Sequence, residues 1–495
     1  MIVNLKVINS IYTISRDIFL SYGFKGLKRL YQLVAFGLQV TFYIWLDHKD
    51  FRNDSFLFYL CTKFDPLLLV SKEERDTKRA KWLLNEILIH GTTYIKLGQI
   101  LATRADLIPL VYMKELAKLQ DEVPPFDNET AFEIIRSELN KPLTSIFSEI
   151  DSEPLASASL GQVYRARLLD TNKEVIIKVQ RPDLKTKIEE DVSILKTIAN
   201  EIMQYPKLAK EHDYRTLLDE FLRVIYEEID YIQEGKYCDT FRENFRNYYQ
   251  VYVPKVYWQY TTRRVITLEH IHGWKVTETD KIVRAGFNLK EITKEGCNVY
   301  LKQLLTDGFF HADPHPGNLR IMEDGRLAFF DFGMVGHVSR ELQIKLVNTL
   351  LSLINRNYEE VVNNFIDMGL LDENFKDKKE LVAALQPIYD ASFGYTGDIS
   401  ASFKQIIEKL AHIIYKYPFR IPVEFALIIR ALLTLEGVGH ALDPGFNVIK
   451  SLIPFIQRYM FTSQGAWLRE HVINEITKNG FKFGFTKELL KVAVR

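Results

Sequence analysis

Apolar side chains recur every three or four residues along much of this chain, which is the spacing of amphipathic helices. The pattern is clear in AKWLLNEILIHGTTYIKLGQILATRADLI, residues 80–108, and it returns after Gly273 and continues to the C-terminus. Residues 1–70 are rich in aromatic side chains and also favour helix. The pattern therefore predicts helical regions at both ends of the chain.

A different pattern separates the two helical regions. PLASASLGQVYRARLLDTNKEVIIKVQRP, residues 154–182, predicts two strands joined by a polar turn at 170–173, with β-branched residues in the second strand. Residues 263–271 form a further candidate strand. Inside the later helical region, residues 320–333 predict a hairpin with an Asp-Gly turn at 324–325. The predicted order is helices, a small strand-rich lobe and a larger helical lobe.

The composition narrows the class of protein. With 495 residues the chain is long enough for more than one domain. Its 64 basic and 64 acidic residues cancel, which gives no support to a general nucleic-acid-binding protein. Three widely spaced cysteines, Cys61, Cys238 and Cys297, form no disulfide or metal-ligand pattern and favour a reducing compartment. The first residues lack a basic region followed by an apolar core, so we expect no signal peptide and no secretion.

The apolar stretch LYQLVAFGLQVTFYIWL, residues 30–46, has two interpretations. It is too short and too polar for a membrane span, but it follows Lys25, Lys28 and Arg29 and is rich in aromatic side chains. A basic, aromatic helix of this kind can lie in a membrane interface. The alternative is a helix that packs on the protein's own body, and the sequence leaves both open.

Several residues match the positioning groups that phosphoryl transfer requires. Lys178 ends the apolar strand EVIIK, as the lysine of the kinase V-A-I-K strand does. Upstream, ASASLGQV occupies the place of a glycine-rich phosphate loop, with Ala156 and Ala158 where the first two glycines would be. Because alanine disfavours positive φ angles, we expect this loop to hold phosphates differently. Each feature alone is weak, since most strand-end lysines are simply solvated.

Acidic and amide residues follow in the order that a kinase requires. EEIDYIQEG offers Glu228 and Glu234 as partners for a lysine, although most such pairs lie on a solvated helical face. Asp313 and Asn318 then form D-x-x-x-x-N, and Asp331 opens D-F-G after the predicted hairpin. The combination predicts an α+β, bilobal, protein-kinase-like fold with a small β-rich N-lobe, a larger helical C-lobe and an added N-terminal helical extension.

The chain resembles the UbiB family of atypical protein-kinase-like proteins, which includes bacterial, mitochondrial and plastid members linked to prenylquinone metabolism. The resemblance runs from about residue 75 to about residue 440. It rests on KLGQ at 96–99, the loop ASASLGQV, EIDYIQE at 228–234, and HADPHPGN with DFG. Flanking stretches are most similar to cyanobacterial and plastid members. Ser157 departs from the family's usual run of three alanines, and Gly235 stands where alanine is usual.

The resemblance implies a role for each of these residues. Lys178 would contact the ATP phosphates and pair with Glu234, and Asp313 is the candidate base. Asn318 and Asp331 would hold Mg²⁺, which prefers hard oxygen ligands. The loop and backbone residues implied to bind the phosphates and adenine of ATP are Ala156, Ser157, Ala158, Ser159, Gly161, Val163, Glu269 and Ile271.

The resemblance also implies a helical cover over the active site. The family places Lys96 and Gln99 of K-x-G-Q on this cover, with Lys96 near the acidic element formed by Glu228 and Asp230. Such a cover would exclude a protein substrate. The expected division is a helical, membrane-interfacial candidate segment at 1–72, the K-x-G-Q extension at 73–150, the N-lobe at 151–272, the C-lobe at 273–445 and a helical tail at 446–495.

The function implied by the resemblance is the use of ATP with Mg²⁺ at a membrane. The protein would be an ATPase, or a kinase for a small molecule or lipid, that supports ubiquinone-, plastoquinone- or tocopherol-type prenylquinone metabolism. The alternative is an ATP-gated module that binds quinone precursors or acts as a chaperone for quinone-biosynthesis proteins. A third, weaker interpretation is an aminoglycoside-phosphotransferase-like enzyme, against which K-x-G-Q and D-F-G argue. The expected location is the cytoplasmic or plastid-stromal side of a membrane, with peripheral attachment and no nucleic-acid partner.

Overall fold

The computed structural model describes residues 5–48, 65–119, 124–204, 213–354, 356–392 and 401–460, with isolated positions beside these ranges. The described residues do not include 120–123. They also leave out 49–61 of the expected 1–72 segment and most of the expected 446–495 tail.

A group of helices precedes the main sheet. These are α1 (Leu5–His48), α2 (Lys72–His90), α3 (Thr92–Leu101), α4 (Leu110–Leu116) and α5 (Asn128–Leu139). Helix α1 bends at Gly23, where φ is +64°. Its buried residues, among them Leu30 and Leu33, pack against α2 and α3, whereas Tyr31 and Leu38 are 75% and 66% exposed. The segment at 30–46 therefore packs on the protein's body along one side and presents an apolar surface on the other.

The N-lobe is a five-stranded antiparallel sheet in the order β1-β3-β4-β6, with β2 paired to β3. Its strands and the elements between them are β1 (Phe147–Ile150), β2 (Ala156–Ser157), β3 (Gly161–Leu168), β4 (Glu174–Gln180), α6 (Leu184–Ile202), α7 (Tyr214–Glu228), α8 (Tyr231–Asn244), β5 (Val251–Tyr252) and β6 (Val265–Glu269). In β4, Val175, Ile177 and Val179 are fully buried and pack in the core that includes α5. Because side chains alternate along a strand, Lys178 projects from the opposite face.

The C-lobe combines short strands with helices. Its elements are β7 (Trp274–Lys275), α9 (Thr279–Arg284), α10 (Leu289–Lys302), β8 (Phe309–His311), β9 (Leu319–Ile321), β10 (Leu327–Phe329), β11 (Val335–His337), α11 (Arg340–Ile354), α12 (Tyr358–Asp367), α13 (Lys378–Ser392), α14 (Phe403–Lys416), α15 (Val423–Leu442) and α16 (Val448–Met460). Strands β9 and β10 form the predicted hairpin, and a small sheet runs in the order β5-β10-β9-β7. Apolar side chains of α10, α15 and α16 form the core beneath the segment that carries Asp313 and Asn318.

The predicted fold is confirmed: a β-sheet N-lobe, a helical C-lobe and an N-terminal helical region. The sheet begins at β1, where Phe147 pairs with Leu168, so its first strand precedes the expected N-lobe start at residue 151. The chain crosses from one lobe to the other between β6, which belongs to the large sheet, and β7, which pairs with β9 in the small sheet.

Candidate functional site

Lys178 lies at the centre of the candidate site, held between two carboxylates. Its Nζ is 3.0 Å from both carboxylate oxygens of Glu234, on the first turn of α8. It is also 3.3 Å from both carboxylate oxygens of Asp331. The ring of Tyr231 lies 5.1 Å from the same nitrogen, within range of a cation–π contact. The structure thus joins the strand lysine, the helix glutamate and the D-F-G aspartate.

Burial and charge set the protonation of these groups. Burial raises the pKa of Glu234 to about 7, and the Lys178 charge offsets only part of that effect. Burial acts in the same direction on Asp331, but the Lys178 charge and the N–H of Gly333 bring the pKa of Asp331 below its ordinary value. Burial opposes the charged form of Lys178, yet the two carboxylates raise the pKa of Lys178 well above its ordinary value. Lys178 and Asp331 are therefore charged at neutral pH, and Glu234 is near the midpoint of its titration.

The D-F-G turn fixes the direction of the Asp331 carboxylate. Asp331 has φ of +66°, in the left-handed region that few residues other than glycine adopt. Its Oδ1 accepts a hydrogen bond of 3.2 Å from the Gly333 N–H, and its carbonyl accepts one of 2.9 Å from His311 Nε2. Phe332 is fully buried, with its ring centroid 5.1 Å from that of Phe241 on α8. The turn is held on both sides, so the carboxylate stays directed at Lys178.

Asp313, the predicted base, is held by hydrogen bonds to its backbone and its side chain, including one of 2.7 Å from the His315 N–H to its carbonyl. Its N–H donates to His311 Nδ1 at 3.1 Å, and its carbonyl accepts from Asn318 Nδ2 at 3.1 Å. Its side-chain Oδ2 accepts a 2.8 Å hydrogen bond from Arg430 Nη2, within an ion pair whose side chains are 26% and 19% exposed. Arg430 belongs to α15. The sequence analysis missed this residue, because one arginine in a strongly apolar helix gives no sign of where in space it lies.

A cavity of about 630 Å³ adjoins these groups. The predicted site residues that line it are Lys96, Gln99, Ser157, Ala158, Glu228, Asp313, Asn318 and Asp331, and Arg430 lines it as well. Lys178 and Glu234 lie behind Asp331, in contact with it through Lys178. The lining does not include Ala156, Ser159, Gly161, Val163, Glu269 or Ile271.

The alanine-bearing loop is the turn between β2 and β3. The Ala158 N–H donates to the Gly161 carbonyl at 2.8 Å, and neither alanine of the loop has a positive φ. Arg181, which sequence reasoning also missed, donates to the Ala158 carbonyl at 3.0 Å and to Ser157 Oγ at 3.1 Å. A Cβ at Gly161 would lie 2.3 Å from the Val179 carbonyl oxygen, so glycine is required there by strand packing. The Ala158 carbonyl and the Ser157 hydroxyl therefore hold the loop in place through their hydrogen bonds with Arg181.

Glu269 of β6 lies where the family resemblance leads us to expect adenine. Its polar groups form hydrogen bonds to Tyr252 and Lys255. Its carboxylate accepts from the Tyr252 hydroxyl at 2.9 Å and from the Lys255 N–H at 3.1 Å. Its own N–H donates to the Lys255 carbonyl at 2.9 Å. The adenine-binding role of Glu269 and Ile271 stays a prediction.

The K-x-G-Q segment lies on α3 and covers one side of the cavity. Lys96 Nζ is 2.5 Å from Glu228 Oε1, and the lysine side chain is 4% exposed. Gln99 Nε2 donates to the Leu119 carbonyl at 3.4 Å. A Cβ at Gly98 would lie 2.5 Å from a Leu119 methyl carbon, so the glycine lets α3 pack closely. Each polar member of the motif therefore joins α3 to a different part of the protein.

Asp230 of the acidic element and Gly235, five residues later, have structural roles. Asp230 caps α8, because its carboxylate accepts a 3.0 Å hydrogen bond from the Ile232 N–H. A Cβ at Gly235 would lie 2.8 Å from the indole ring of Trp258. The close tryptophan explains glycine at the position where the family resemblance leads us to expect alanine.

Models of known families match most of the region that contains this site. One described as the ABC1 atypical kinase-like domain matches residues 118–365, and one described as the UbiB helical domain matches residues 384–447. The chain belongs to the ABC1/UbiB family of atypical kinase-like proteins. In terms of this family, Asp313 lies in the kinase-like domain, and its partner Arg430 comes from the UbiB helical domain.

Relatives in the ABC1/UbiB family include cyanobacterial and chloroplastic proteins, as the resemblance led us to expect. Synechocystis sp. protein sll1770 is 41% identical over 413 residues, which cover 83% of this chain and 70% of that protein. Synechocystis sp. protein slr1919 is 40% identical, with 83% and 72% covered. The Arabidopsis thaliana protein ACTIVITY OF BC1 COMPLEX KINASE 1, chloroplastic, is 38% identical over 86% of this chain, but the match covers 62% of that protein.

One helix of the described residues, α15, is long and apolar enough to cross a membrane, with a mean hydropathy of 1.5. Half of that window is buried inside the protein, and its Arg430 pairs with Asp313. These contacts are those of a core helix in the ABC1/UbiB C-lobe.

Proposed function

We propose that this protein binds ATP with Mg²⁺ and transfers or hydrolyses the γ-phosphate. The observation that carries the proposal is the contact of Lys178 with both Glu234 and Asp331, beside a cavity lined by Asp313 and Asn318. A kinase requires the lysine–glutamate pair and the D-F-G aspartate to be in place together. In support, Lys178 pairs with Glu234 at 3.0 Å, and the D-F-G aspartate, Asp331, lies 3.3 Å from the same lysine.

The donor groups fit a hard divalent cation. The Asp331 carboxylate is 45% exposed and borders the cavity. The amide nitrogen of Asn318 donates a hydrogen bond to the Asp313 carbonyl. The amide oxygen of Asn318 is therefore the natural metal ligand of this side chain. Oxygen ligands of this kind suit Mg²⁺, which would neutralise charge on the phosphates.

The other residues position reactants. Lys178 would bind the phosphates, and Glu234 would hold the lysine in its present direction. Asp313 would orient the hydroxyl or water that attacks and would accept its proton. Arg430 would fix the Asp313 carboxylate, which makes it a positioning residue. The Lys96–Glu228 pair holds α3 over the cavity, and this cover favours a small acceptor over a protein.

We propose further that the acceptor, or the molecule whose handling ATP drives, is a lipid or a prenylquinone-related compound, and that the protein attaches peripherally to a membrane, in a plastid or on a cytoplasmic face. The support is the family of the chain together with the apolar side of α1. Leu20, Phe24, Tyr31 and Leu38 on α1 are between 66% and 80% exposed. The same surface favours the second candidate, an ATP-gated module that binds quinone precursors or supports quinone-biosynthesis proteins with little phosphotransfer.

The decisive experiment measures phosphate release by the purified protein with Mg²⁺ and ATP. Anionic vesicles and phenolic headgroup mimics are added separately and together. We expect turnover that vesicles or phenols stimulate and that Lys178→Ala abolishes. Absence of turnover, with ATP-dependent binding of a quinone precursor, would support the second candidate instead.

A vesicle co-sedimentation assay tests the membrane surface. Phe24→Glu with Tyr31→Glu should weaken binding to anionic vesicles by at least about tenfold, because charge replaces apolar surface at the interface. Tyr249→Glu is a matched control, since Tyr249 is 74% exposed and lies outside α1. Equal loss in the control, or unchanged binding in the double variant, would remove α1 as the contact.

A further inference from the structure

A cluster of two histidines and a glutamate lies on the connection between the lobes, outside the site described above. Glu174 Oε2 is 3.2 Å from His270 Nδ1 and 3.0 Å from His272 Nε2. The three ligand atoms all lie within 4.8 Å of one another. The two imidazole rings have centroids 4.5 Å apart.

The sheet itself brings these side chains together. Val175 of β4 pairs with Glu269 of β6, and the ladder continues by one step, because the His270 N–H donates to the Glu174 carbonyl at 3.2 Å. His272 follows His270 by two residues, and in an extended segment this spacing returns the side chain to the same face. Backbone pairing therefore holds Glu174 and His270 next to each other, and the Glu174–His272 contact of 3.0 Å brings in the third side chain.

The spacing of the ligand atoms fits a tetrahedral transition-metal ion. Zinc bonds of about 2.0–2.2 Å to nitrogen and oxygen separate neighbouring ligand atoms by about 3.3–3.6 Å in a tetrahedron. The two distances from the glutamate oxygen, 3.0 and 3.2 Å, need to open by only a few tenths of an ångström, and the two histidine nitrogens lie within 4.8 Å of each other, so binding would bring them closer if they lie near that limit. Two imidazoles and one carboxylate are ligands that zinc takes readily, with a water molecule in the fourth position.

The chemistry around the cluster also suits a metal. Arg167 Nη2 donates to the other glutamate oxygen, Oε1, at 2.7 Å. This bond orients the carboxylate and leaves Oε2 to face the histidines. The His272 side chain is 65% exposed, so an ion can enter from solvent.

We propose that Glu174, His270 and His272 form a binding site for one zinc-class divalent ion on the connection between the lobes. The ion joins β4 of the N-lobe sheet to the segment that runs from β6 to β7. Immediately after His272, Gly273 approaches the C-lobe so closely that a Cβ there would lie 2.5 Å from the Ile321 carbonyl oxygen. A metal at this point restrains the segment that connects the two lobes. The proposed metal site does not depend on ATP turnover.

Calorimetric titration of the full chain with ZnCl₂ tests the site, with excess Mg²⁺ present to fill hard-oxygen sites. We expect wild type to bind a zinc ion that His272→Ala binds at least about tenfold more weakly, as loss of one of three protein ligands should produce. His272→Gln should behave like His272→Ala, although glutamine can still hydrogen-bond to Glu174. The matched control is His337→Gln, which replaces an exposed histidine outside the cluster and should leave the affinity unchanged.

Two further readouts separate coordination from a simple hydrogen-bonded cluster. Cobalt(II) added to wild type should give the visible absorption bands of a tetrahedral site, and His270→Ala should abolish them. Zinc should slow amide hydrogen exchange in peptides that cover residues 265–275 in wild type and not in His272→Ala. The proposal is overturned if wild type, His270→Ala and His272→Ala bind zinc equally, or if wild type binds none.

Discussion

The two walls of the central cavity are built in different ways. The wall formed by β4, α8 and the D-F-G turn presents Asp331 to the cavity, with Lys178 in contact with Asp331 and with Glu234 behind it. The wall formed by α3 and α15 presents Lys96 and Arg430, each paired with an acidic residue from elsewhere in the chain. The first wall carries groups suited to nucleotide and metal. The second wall holds Asp313 and Glu228 in place and covers the cavity. Binding and positioning can therefore be disturbed separately.

The largest effect is expected on the first wall, from Asp331→Asn. Loss of the carboxylate that faces the metal should weaken Mg²⁺–ATP binding by at least about 100-fold, or about 2.7 kcal/mol. A thermal-shift titration with Mg²⁺ and ATP measures it. Asp313→Asn is the matched control, because it should keep the nucleotide-induced shift while losing hydrolysis. An undiminished shift in Asp331→Asn would exclude Asp331 from the metal site.

On the second wall, Arg430→Gln should lower kcat by about 10–100-fold and change KM for ATP by less than about twofold, because a positioning contact is removed and nucleotide contacts remain. Arg430→Lys should restore part of the rate. Arg223→Gln, which removes the exposed ion pair with Glu424 of the same helix, is the control and should retain full activity. A rise in KM with unchanged kcat would place Arg430 in nucleotide binding.

A smaller effect is expected where the two walls meet, at the alanine-bearing loop. Ala158→Gly gives the backbone more conformational freedom at a position that lines the cavity. ATP affinity or autophosphorylation should therefore change by a few-fold. Lys178→Ala in the same background should remove any gain. Ala156→Gly serves for comparison, because Ala156 is not among the lining residues. If nucleotide affinity and labelled-phosphate incorporation both stay unchanged, the alanines are a structural variation and the restraint lies in the cover.

The smallest effect on nucleotide use is expected from the protonation of Glu234, which acts on the free energy of unfolding instead. Burial raises its pKa from the ordinary 4.5 to about 7, so over this pH window the folded protein holds a proton that the unfolded chain has released. This group's contribution to the free energy of unfolding is therefore greatest at low pH and falls as pH rises through the window, by at most about 1.4 kcal/mol per pH unit. Asp331 acts oppositely, and its contribution is lost only as pH falls below its ordinary 3.8.

Urea unfolding at several pH values between 5 and 7 checks this expectation. Wild type should lose stability relative to Glu234→Gln as pH rises, because the variant cannot titrate at this position. Parallel pH dependence in both proteins would contradict the elevated pKa.

The first wall could be predicted from the sequence, and most of the second could not. Lys178 ends a strand whose apolar alternation is local, and the β9–β10 hairpin is fixed by its Asp-Gly turn, so short-range patterns are enough. The order of Lys178, Glu234, Asp313 and Asp331 along the chain then matches kinase chemistry. Lys96 was assigned through the family resemblance, and its contact with Glu228 agrees with that assignment.

Long-range pairing explains what the sequence did not reveal. Arg430 and Arg181 give no local pattern, because their partners are chosen by how helices and strands pack after the chain folds. The Glu174, His270 and His272 cluster was missed for the same reason. Between Glu174 and His270 the described residues form β4, α6, α7, α8, β5 and β6, and the register of β4 with β6 brings the two residues together.

The bond between Arg430 and Asp313 also has a consequence for how the protein is made. The two residues are 117 positions apart, so the ribosome completes the arginine roughly 6–23 s after the aspartate at about 5–20 residues per second. The kinase-like domain can collapse during this interval, but Asp313, its proposed base, has no arginine beside it until α15 has emerged. A newborn chain can therefore pass through a period in which the first wall is formed and the α15 part of the second wall is not. Maturation of the site is tied to completion of the C-terminal helices.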